Sequence, residues 1–249
     1  MTPALDLVLA RVGGRTVLTR RRYRWPLLVG RVFDDERGGV LTVQNSAGTL
    51  IPGDVIRQSV EVVDGGVATV QGQGATTISG TATGAEAFED TRLTVDATGE
   101  LWYVPAPRIV TPHARYRQEL RVRVAPGGRA VVVDAVVLHP ECGNANFGSY
   151  ASTVEVRGPE NELLAVDAQS LDAMPAARRA PSAYGTVYLI GLGDAPSEVS
   201  PRDAYGAVTD LPNGAGWAVR IAARDGGALR TALDEVLTTV RRSGLTVAR

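Results

Sequence analysis

A histidine, a glutamate and a cysteine stand within four positions in the segment His139-Pro140-Glu141-Cys142. Their imidazole, carboxylate and thiol groups are all potential ligands for nickel or zinc. No second segment supplies obvious further ligands, and no residue beside Cys142 marks an activated thiolate nucleophile. The segment therefore predicts a metal contact at His139, Glu141 and Cys142, a small enzymatic site at the same place, or a plain loop at the end of a strand.

Two aspartates stand at positions that need an explanation. Asp134 lies inside the apolar run Val131–Val137, where burying a carboxylate is costly unless it is paired or lines a wet cavity. It is either the partner of an arginine, an outward-facing acid, or part of the wall of a polar cavity or channel. Asp54 closes the segment Gly48–Asp54 and is either an ordinary turn residue before a strand or a functional acid.

A small, polar and neutral run covers Gln71–Thr77. Its short hydroxyl and amide groups fit the lining of an internal passage, and they fit a tightly packed β-turn equally well. The sequence has no phosphate-binding Gly-x-x-x-x-Gly-Lys-Ser/Thr loop, no Gly-x-Ser-x-Gly elbow, no His-Glu-x-x-His and no EF-hand loop. With only two histidines, His113 and His139, acid–base or metal catalysis would depend on few residues.

The charge and cysteine counts restrict the partners and the compartment. The formal net charge of -1 argues against nucleic acid or an anionic membrane as the main partner. The single cysteine, Cys142, is typical of a reducing compartment, and no apolar run approaches the roughly 18 residues of a membrane span. We expect a cytoplasmic protein. The run Arg20–Arg24 is either a solvated basic face or a docking patch for an acidic partner.

Short valine- and threonine-rich stretches recur on either side of glycine-containing turns, at intervals of roughly 30 residues. Such units are marginal alone but bury a continuous apolar seam when stacked. We predict an all-β fold of stacked antiparallel hairpins, solenoid-like or sandwich-like, in one domain over residues 1–249. The five units are Arg31–Phe33 with Val40–Val43, Val60–Val63 with Val67–Val70, Leu93–Val95 with Leu101–Val104, Leu120–Val124 with Ala130–Val133, and Thr153–Val156 with Leu163–Val166.

Register and the later elements follow from periodicity. Charged and apolar residues alternate over Arg117–Val124, which predicts one wet and one buried face, and Ala130–Leu138 reads as a central strand. For the later part of the chain we predict an exposed loop within Asp167–Pro181, a strand at Thr186–Ile190, a short helix within Pro196–Asp210 and a strand at Trp217–Ala222. The last element is an amphipathic helix with Asp225 as N-cap and Ser243-Gly244 as its stop. Its apolar face consists of Leu229, Leu233, Val236, Leu237 and Val240.

Five segments, in this order, carry a resemblance to a known family: Pro26–Val29, Gly48–Asp54, Gly74–Thr76, Leu101–Ile109 continued by Ala114-Arg115, and the strand pair around Gly127-Gly128 and Asp134. They resemble the UreD family of urease accessory proteins, also called UreH. The first four correspond to its segments Gly-Pro-Leu-x-Val, Gly-Gly-Leu-Val-Gly-Gly-Asp, Ala-Ala-Thr-Lys and Leu-Glu-Trp-Leu-Pro-x-Pro-x-Ile. The resemblance covers roughly residues 10 to 190, and the departures include Thr77 where that family usually has lysine. His139-Pro140 likewise replaces a Gly-Arg pair, and Asn144 a glutamate.

The resemblance implies a β-rich, non-enzymatic protein. Members of that family bind UreF, which recruits the GTPase UreG, and the assembly docks on apo-urease during nickel delivery. A tunnel through the protein has been proposed as the nickel path, and Asp54, Ala75, Thr76 and Asp134 match the positions implied for its lining. Nickel is then held transiently, and no cofactor is held tightly. A path for an ion that must leave again fits carboxylates and water better than tight soft ligands.

Three functions therefore stay open from the sequence. The first is the scaffold that helps load nickel, with partner contacts expected from the C-terminal helix and the late strands. The second is a small β-fold enzyme with a site at His139, Glu141 and Cys142. The third is a plain protein-interaction module, which shares the fold but has no polar passage in its interior.

Overall fold

The computed structural model of the protein describes residues 3–174, 180–196 and 201–242. Within these ranges more than half of the residues lie in β-strands, and the last element is an α-helix. The first nine strands are β1 Leu5–Val12, β2 Arg15–Tyr23, β3 Leu27–Asp35, β4 Gly38–Asn45, β5 Thr49–Leu50, β6 Val55–Val63, β7 Val67–Gly72, β8 Thr76–Ile78 and β9 Ala87–Val95. The later elements are β10 Glu100–Val104, β11 Arg108–Val110, β12 Arg115–Val124, β13 Arg129–Leu138, β14 Ser149–Arg157, β15 Leu163–Leu171, β16 Ala183–Ile190, β17 Ala204–Leu211, a 3-10 turn at Pro212–Gly214, β18 Gly216–Ala223 and α1 Gly226–Arg242.

The strands form two facing sheets. Sheet A has the order β15-β14-β12-β9-β6-β1-β2, and sheet B has the main order β17-β18-β16-β13-β10-β7-β4-β3. In the middle of the chain successive strands alternate between the sheets, and each pairs in parallel with the strand one coil later. Val60, Leu93, Val122 and Val156 therefore lie side by side in one row of sheet A. The all-β class and the solenoid-like stack are confirmed.

The predicted strand–turn–strand units pair in two different ways. The first and last are antiparallel hairpins, with Phe33 opposite Val40 and Val156 opposite Ala165. The middle three instead carry the chain from sheet A to sheet B, as β6–β7, β9–β10 and β12–β13. Glycine and aspartate suit both a hairpin turn and such a corner, so turn chemistry alone does not distinguish them. Antiparallel hairpins thus describe the ends of the stack, and parallel coils form its middle.

The corners between the sheets stack on one another. The backbone N–H of Asp64 donates to Asp96 Oδ2 at 2.6 Å, and that of Gly65 donates to Thr98 Oγ1 at 2.9 Å. The corner at Asp96–Thr98 therefore satisfies backbone donors of the corner before it, as turn N–H groups without strand partners require. This stacking fixes the level at which each coil re-enters sheet B.

Two apolar cores follow from the alternation of side chains along the strands. The inner core lies between the sheets and includes fully buried Leu7, Leu93 and Leu101. The outer core lies between sheet B and α1. The predicted central strand, β13, separates them, because Val132 and Val136 face the inner core while Val131 and Val133 face the outer core.

The C-terminal helix matches its prediction. Asp225 Oδ1 accepts a hydrogen bond from the backbone N–H of Ala228 at 2.8 Å, as an N-cap does. The five predicted apolar residues are all buried, and they pack on the outer face of sheet B. That face of α1 is therefore occupied within the chain, which limits the expected partner contacts of this helix to its other sides. The predicted stop at Ser243-Gly244 lies outside the described residues.

One predicted element is wrong in type. The short helix expected within Pro196–Asp210 is a strand, β17, where the structure describes it, because Ala204–Leu211 extends sheet B beside β18. Alternation there is weak, with most side chains of this edge strand exposed, so the sequence carries little period-two signal. The expected loop within Asp167–Pro181 begins later than predicted, since β15 continues to Leu171, and residues 175–179 lie outside the described ranges.

The outer face of sheet A is wet, as the alternation over Arg117–Val124 predicts. Arg121 donates to Asp90 Oδ1 at 2.6 Å and also contacts Glu119, and Arg117 donates to Glu86 Oε1 at 2.9 Å. In the part of the chain that the structure describes, no helix is long and apolar enough to cross a membrane.

Candidate functional site

Polar side chains line the space between the two sheets at adjacent levels. Glu89, Gln118, Ser152 and Gln169 lie in one row of sheet A, and Gln58, Thr91 and Asp167 belong to the next row. Asp134, Thr186 and Arg220 lie in one row of sheet B. We call the following residues the polar belt: Gln58, Glu89, Thr91, Arg108, Tyr116, Gln118, Asp134, Ser152, Asp167, Gln169, Thr186, Tyr188 and Arg220.

Every described member of the polar belt has a hydrogen-bond partner, and no buried side-chain nitrogen or oxygen in the described ranges lacks one. This agrees with the general cost of leaving a buried polar atom unpaired. The belt runs across the strands, along the stacking axis, from Gln58 on β6 to Arg220 on β18. It is a polar layer between apolar layers of the inner core.

A buried ion pair lies near the β6 end of the belt. Arg108 donates to Glu89 through Nε to Oε2 at 2.6 Å and through Nη2 to Oε1 at 3.1 Å, and both side chains are almost fully buried. The hydroxyl of Tyr116 donates to Glu89 Oε2 at 2.5 Å. Burial raises the pKa of Glu89, but the charge and hydrogen bonds of Arg108 outweigh it, so this pKa lies below its usual value. Glu89 and Arg108 are therefore both charged.

Asp134 occupies the middle of the belt without a cation beside it. Gln118 Nε2 donates to Asp134 Oδ1 at 2.5 Å, and Ser152 Oγ donates to Oδ2 at 2.6 Å. No arginine in the described ranges comes within ion-pair distance of this carboxyl. Burial raises the pKa of Asp134 above its usual value, although the hydrogen bonds from Ser152 and Gln118 lower it. A carboxyl in this state holds a proton more readily than an ordinary aspartate does.

The raised pKa of Asp134 predicts a stability that depends on pH. The folded chain holds the proton more tightly than the unfolded chain, so the contribution of Asp134 is lost as the pH rises from the ordinary aspartate range, about 4, through the raised pKa. We expect Asp134→Asn to match wild type at low pH and to exceed it at neutral pH. Urea unfolding midpoints of both proteins over a pH series test this, and a constant difference would contradict it.

The opposite end of the belt reaches the surface. Asp167 Oδ2 accepts hydrogen bonds from Tyr188 Oη and from Arg220 Nη1, both at 2.7 Å. The Arg220 side chain is 41% exposed, whereas that of Asp167 is 13% exposed. Burial and the neighbouring acids Asp134 and Asp167 raise the pKa of Tyr188, so this hydroxyl stays protonated and acts as a donor.

Sheet B is interrupted beside the β6 end of the belt. The breaks fall between β4 and β5, between β7 and β8, and between β10 and β11, which are neighbouring strands. The sequence explains them: Gly48 and Gly74 adopt positive φ, and Pro105 and Pro107 have no N–H to donate to a ladder. The three breaks therefore lie side by side and weaken one wall of the stack.

Two small cavities and one groove meet at these breaks. A cavity of about 50 Å³ is lined by exposed Gln71 and Gln73, by buried Glu89 and by the largely covered side chain of Arg108, so it leads inward from the surface. A second, of about 20 Å³, is lined by Arg108, Gln118 and Asp134, which is room for about one water molecule. Outside, a groove of about 660 Å³ runs between the breaks and α1.

The residues singled out by the sequence occupy different places around this region. Asp134 is in the polar belt, and Thr76 lines the 50 Å³ cavity. Ala75 lines the outer groove. Asp54 lies apart from these cavities, where its Oδ2 accepts a hydrogen bond from the backbone N–H of Ile51 at 3.0 Å, as a turn aspartate does. The structure thus brings Asp134 and Thr76 to the same interior and leaves Asp54 in its turn.

The segment with His139, Glu141 and Cys142 follows the C-terminal end of β13. His139 Nδ1 lies 4.0 Å from Glu141 Oε2 near the surface, whereas the buried Cys142 thiol donates to the backbone oxygen of Val110 at 3.3 Å. Burial raises the pKa of this thiol, so the thiolate is disfavoured. The described residues contain no group of three or more His, Cys, Asp or Glu side chains placed to hold a metal ion together.

Two central belt residues were not singled out from the sequence. Glu89 stands in phase with Leu93 and Val95, which places its carboxylate on the inner face of β9. The sequence contains this alternation, but Glu89 is followed by a second acidic residue, Asp90. Two adjacent charged residues hide the alternation of inward and outward side chains. Arg108 carried no signal of its own, because its position depends on the break at residues 105–107.

Comparison with known proteins identifies the family. A family model described as UreD urease accessory protein matches residues 1–248. The chain belongs to the UreD family. The resemblance proposed from Gly48–Asp54 and Leu101–Ile109 is thereby confirmed and extends over nearly the whole chain.

Individual relatives agree with this family. The urease accessory protein UreD of Mycolicibacterium smegmatis is 59% identical over 92% of this chain and 87% of its own length. The urease accessory protein UreD 2 of a Bradyrhizobium strain is 35% identical, over 98% and 91% respectively. The urease accessory protein UreD of Haloarcula marismortui is 38% identical, over 72% of this chain and 64% of its own length. These UreD-family relatives are named as accessory proteins of urease.

Proposed function

We propose that this chain is a non-catalytic scaffold of urease maturation that binds UreF and, through it, the GTPase UreG, and docks on apo-urease. Nickel crosses the chain along the polar belt while it is delivered. The observation that carries this proposal is the belt itself, a polar layer through the inner core that is approached from the surface at the breaks in sheet B. Membership of the UreD family supports the role in urease maturation.

The belt has the chemistry of a path for a divalent cation. Besides Arg108 and Arg220, which pair with Glu89 and Asp167, the belt contains oxygen donors. Among them are the carboxylates of Glu89 and Asp134, the hydroxyl of Ser152 and the amide oxygen of Gln118. Hard oxygen ligands hold nickel less tightly than thiolates or several imidazoles, so the ion is free to leave. Conduction needs sites favourable enough to fill and weak enough to empty. The uncompensated carboxyl of Asp134 is such a site.

Two observations, one on the belt and one outside it, support a role without catalysis. Its tyrosine hydroxyls at Tyr116 and Tyr188 have raised pKa values, which suits donors and not bases. The one thiol, Cys142, is buried away from the belt and pairs with a backbone oxygen. The alternative enzyme at His139, Glu141 and Cys142 would need these three groups to converge, whereas the Cys142 sulfur faces the strand beside it.

A docking surface supports the scaffold role. Trp25, in the turn between β2 and β3, is 72% exposed, and Phe33, on β3, is 66% exposed. β2 and β3 are the edge strands of the two sheets at the same end of the stack. Exposed Arg22 belongs to the same edge. Tryptophan, other aromatics and arginine are the residue types enriched in protein interfaces. This end suits a protein partner with acidic groups, which develops the docking interpretation of the Arg20–Arg24 run.

Co-expression with urease tests the passage. We expect Asp134→Ala to reduce urease activation by tenfold or more while the complex with UreF and apo-urease still assembles, because the variant removes the central carboxyl. Asp54→Ala tests the other predicted acid in the same assay. Asp194→Ala, an exposed aspartate after β16, is the matched control and should activate normally.

The outcomes separate the candidate functions. Normal activation by Asp134→Ala, with intact assembly, would reject the passage and favour a plain interaction module, which the exposed aromatic edge also fits. Failure of the soluble chain to bind UreF in a pull-down would reject the scaffold role itself. Loss of assembly in the Asp134 variant would show a structural role for this residue instead.

A further inference from the structure

Arg108 stands between the two interior cavities. It lines the 50 Å³ cavity that leads in from the breaks and the 20 Å³ cavity beside Asp134. The other residues that line both are Tyr103, Pro105 and Ala106. Of these four, only Arg108 has a long, charged side chain whose rotation would join the two cavities.

The guanidinium is fixed across this junction. Besides its two hydrogen bonds to Glu89, Arg108 donates through Nη1 to the backbone oxygen of Ala106 at 2.6 Å. In the conformation observed, the volume of this side chain closes the way from the breaks to Asp134, and the Glu89 carboxylate is already paired with the guanidinium.

We propose that Arg108 blocks the passage in the free protein and that Glu89 is a binding station for a divalent cation once the guanidinium withdraws. This inference rests on the proposed function, since it identifies the place where the proposed nickel path along the polar belt is closed. When the guanidinium of Arg108 withdraws, the cation replaces it as the counter-charge of the Glu89 carboxylate. The cation would meet the Glu89 carboxylate, the Tyr116 hydroxyl and the backbone oxygen of Ala106, all of which are oxygen donors.

The surroundings of Arg108 give the side chain somewhere to go. The segment before it, residues 105–107, is the break between β10 and β11 and carries two prolines. The groove outside is lined by Pro105, Ala106 and Pro107 on one side and by Asp234 of α1 on the other. The groove therefore offers both volume and a carboxylate to a guanidinium that leaves Glu89.

Nickel binding by the isolated chain tests this inference directly. Tag-free wild type, Arg108→Met and the double variant Glu89→Gln/Arg108→Met are titrated with Ni²⁺ alone by calorimetry, and their melting temperatures are measured with and without Ni²⁺. We expect Arg108→Met to gain a site with a dissociation constant at least tenfold below that of any wild-type site. Bound Ni²⁺ should raise its melting temperature. The double variant should lose both effects.

The control is Arg92→Met, on the outer face of the same strand as Glu89, where the arginine is mostly exposed and pairs with Asp90 at 3.5 Å. It should bind Ni²⁺ as wild type does. No gain of a site in Arg108→Met would overturn the inference, and so would a gain that persists in the double variant. If Arg108→Met does not fold, Arg108→Gln carries the same test, because its amide keeps one hydrogen bond to Glu89.

These results are independent of the activation assay. If Asp134→Ala impairs urease activation and Arg108→Met gains no nickel site, the passage stands and the block at Arg108 is wrong. If Arg108→Met gains the site and activation is indifferent to Asp134, Glu89 binds a cation but the path through the belt is wrong.

Discussion

Glu89→Gln is expected to lower the free energy of unfolding by about 3 kcal/mol or more, because it leaves the Arg108 guanidinium buried without a counter-charge. The side chains of Glu89 and Arg108 are 8% and 12% exposed, so solvent screens the pair little. The glutamine oxygen still accepts a hydrogen bond, and the loss is therefore electrostatic and not one of packing. Urea unfolding followed by circular dichroism measures the change.

A double-mutant cycle isolates the pair. Replacing both partners, as in Glu89→Gln/Arg108→Met, should recover most of the stability, since a buried ion pair contributes little over neutral groups of similar size. Glu86→Gln is the control. It breaks the Glu86–Arg117 pair at 2.9 Å, where both side chains are 41% exposed, and should cost about 1 kcal/mol or less. Equal losses at Glu86 and Glu89 would contradict the buried character of the belt.

Asp134 and the Glu89–Arg108 pair show why only part of the site can be predicted from the sequence. Asp134 is the one charged residue in the apolar run Val131–Val137. It can be recognised from the sequence because burying a carboxyl without a partner is costly. Neither Glu89 nor Arg108 can be recognised as a site residue from its own sequence neighbourhood; each becomes recognisable only once its contact with the other is known. They are 19 positions apart on strands of different sheets, so their contact depends on how the coils stack, which no local pattern encodes.

The fold divides in a similar way. The apolar face of α1 and its N-cap at Asp225 are set by residues within one element, and both are predicted correctly. The partner of each strand is a non-local property. Asp64-Gly65-Gly66 has the composition of a hairpin turn, yet it joins strands of two sheets, because the neighbouring coil offers β6 and β7 long parallel partners with matching apolar rows.

β17 shows the reverse case. Its sequence, Ala204–Leu211, has little alternation because most of its side chains are exposed, and the structure holds it as a strand through its pairing with β18. Backbone hydrogen bonding to a preformed edge does not require a sequence pattern in the added strand. Tertiary context therefore overrides local preference at this edge of sheet B.

Gly128→Ala is expected to destabilise the protein by about 3 kcal/mol or more. A Cβ atom at this corner between β12 and β13 would lie 2.2 Å from the backbone oxygen of Asp96 in the preceding corner. The obstacle is backbone and not a flexible side chain, so two coils would have to move apart. Thermal and urea unfolding, with the yield of soluble protein, measure the effect.

Gly13→Ala separates this close approach from the ordinary cost of replacing a turn glycine. Gly13 has a positive φ of 58°, and a Cβ atom there would meet nothing within 4 Å, so only the backbone penalty of about 1–2 kcal/mol applies. A smaller loss at Gly128 than at Gly13 would contradict the stacking of corners. The same stacking of corners sets the level of β13 and so places Asp134 opposite Gln118 and Ser152. If Gly128→Ala were tolerated, the position of Asp134 could not be explained by the stacking of corners.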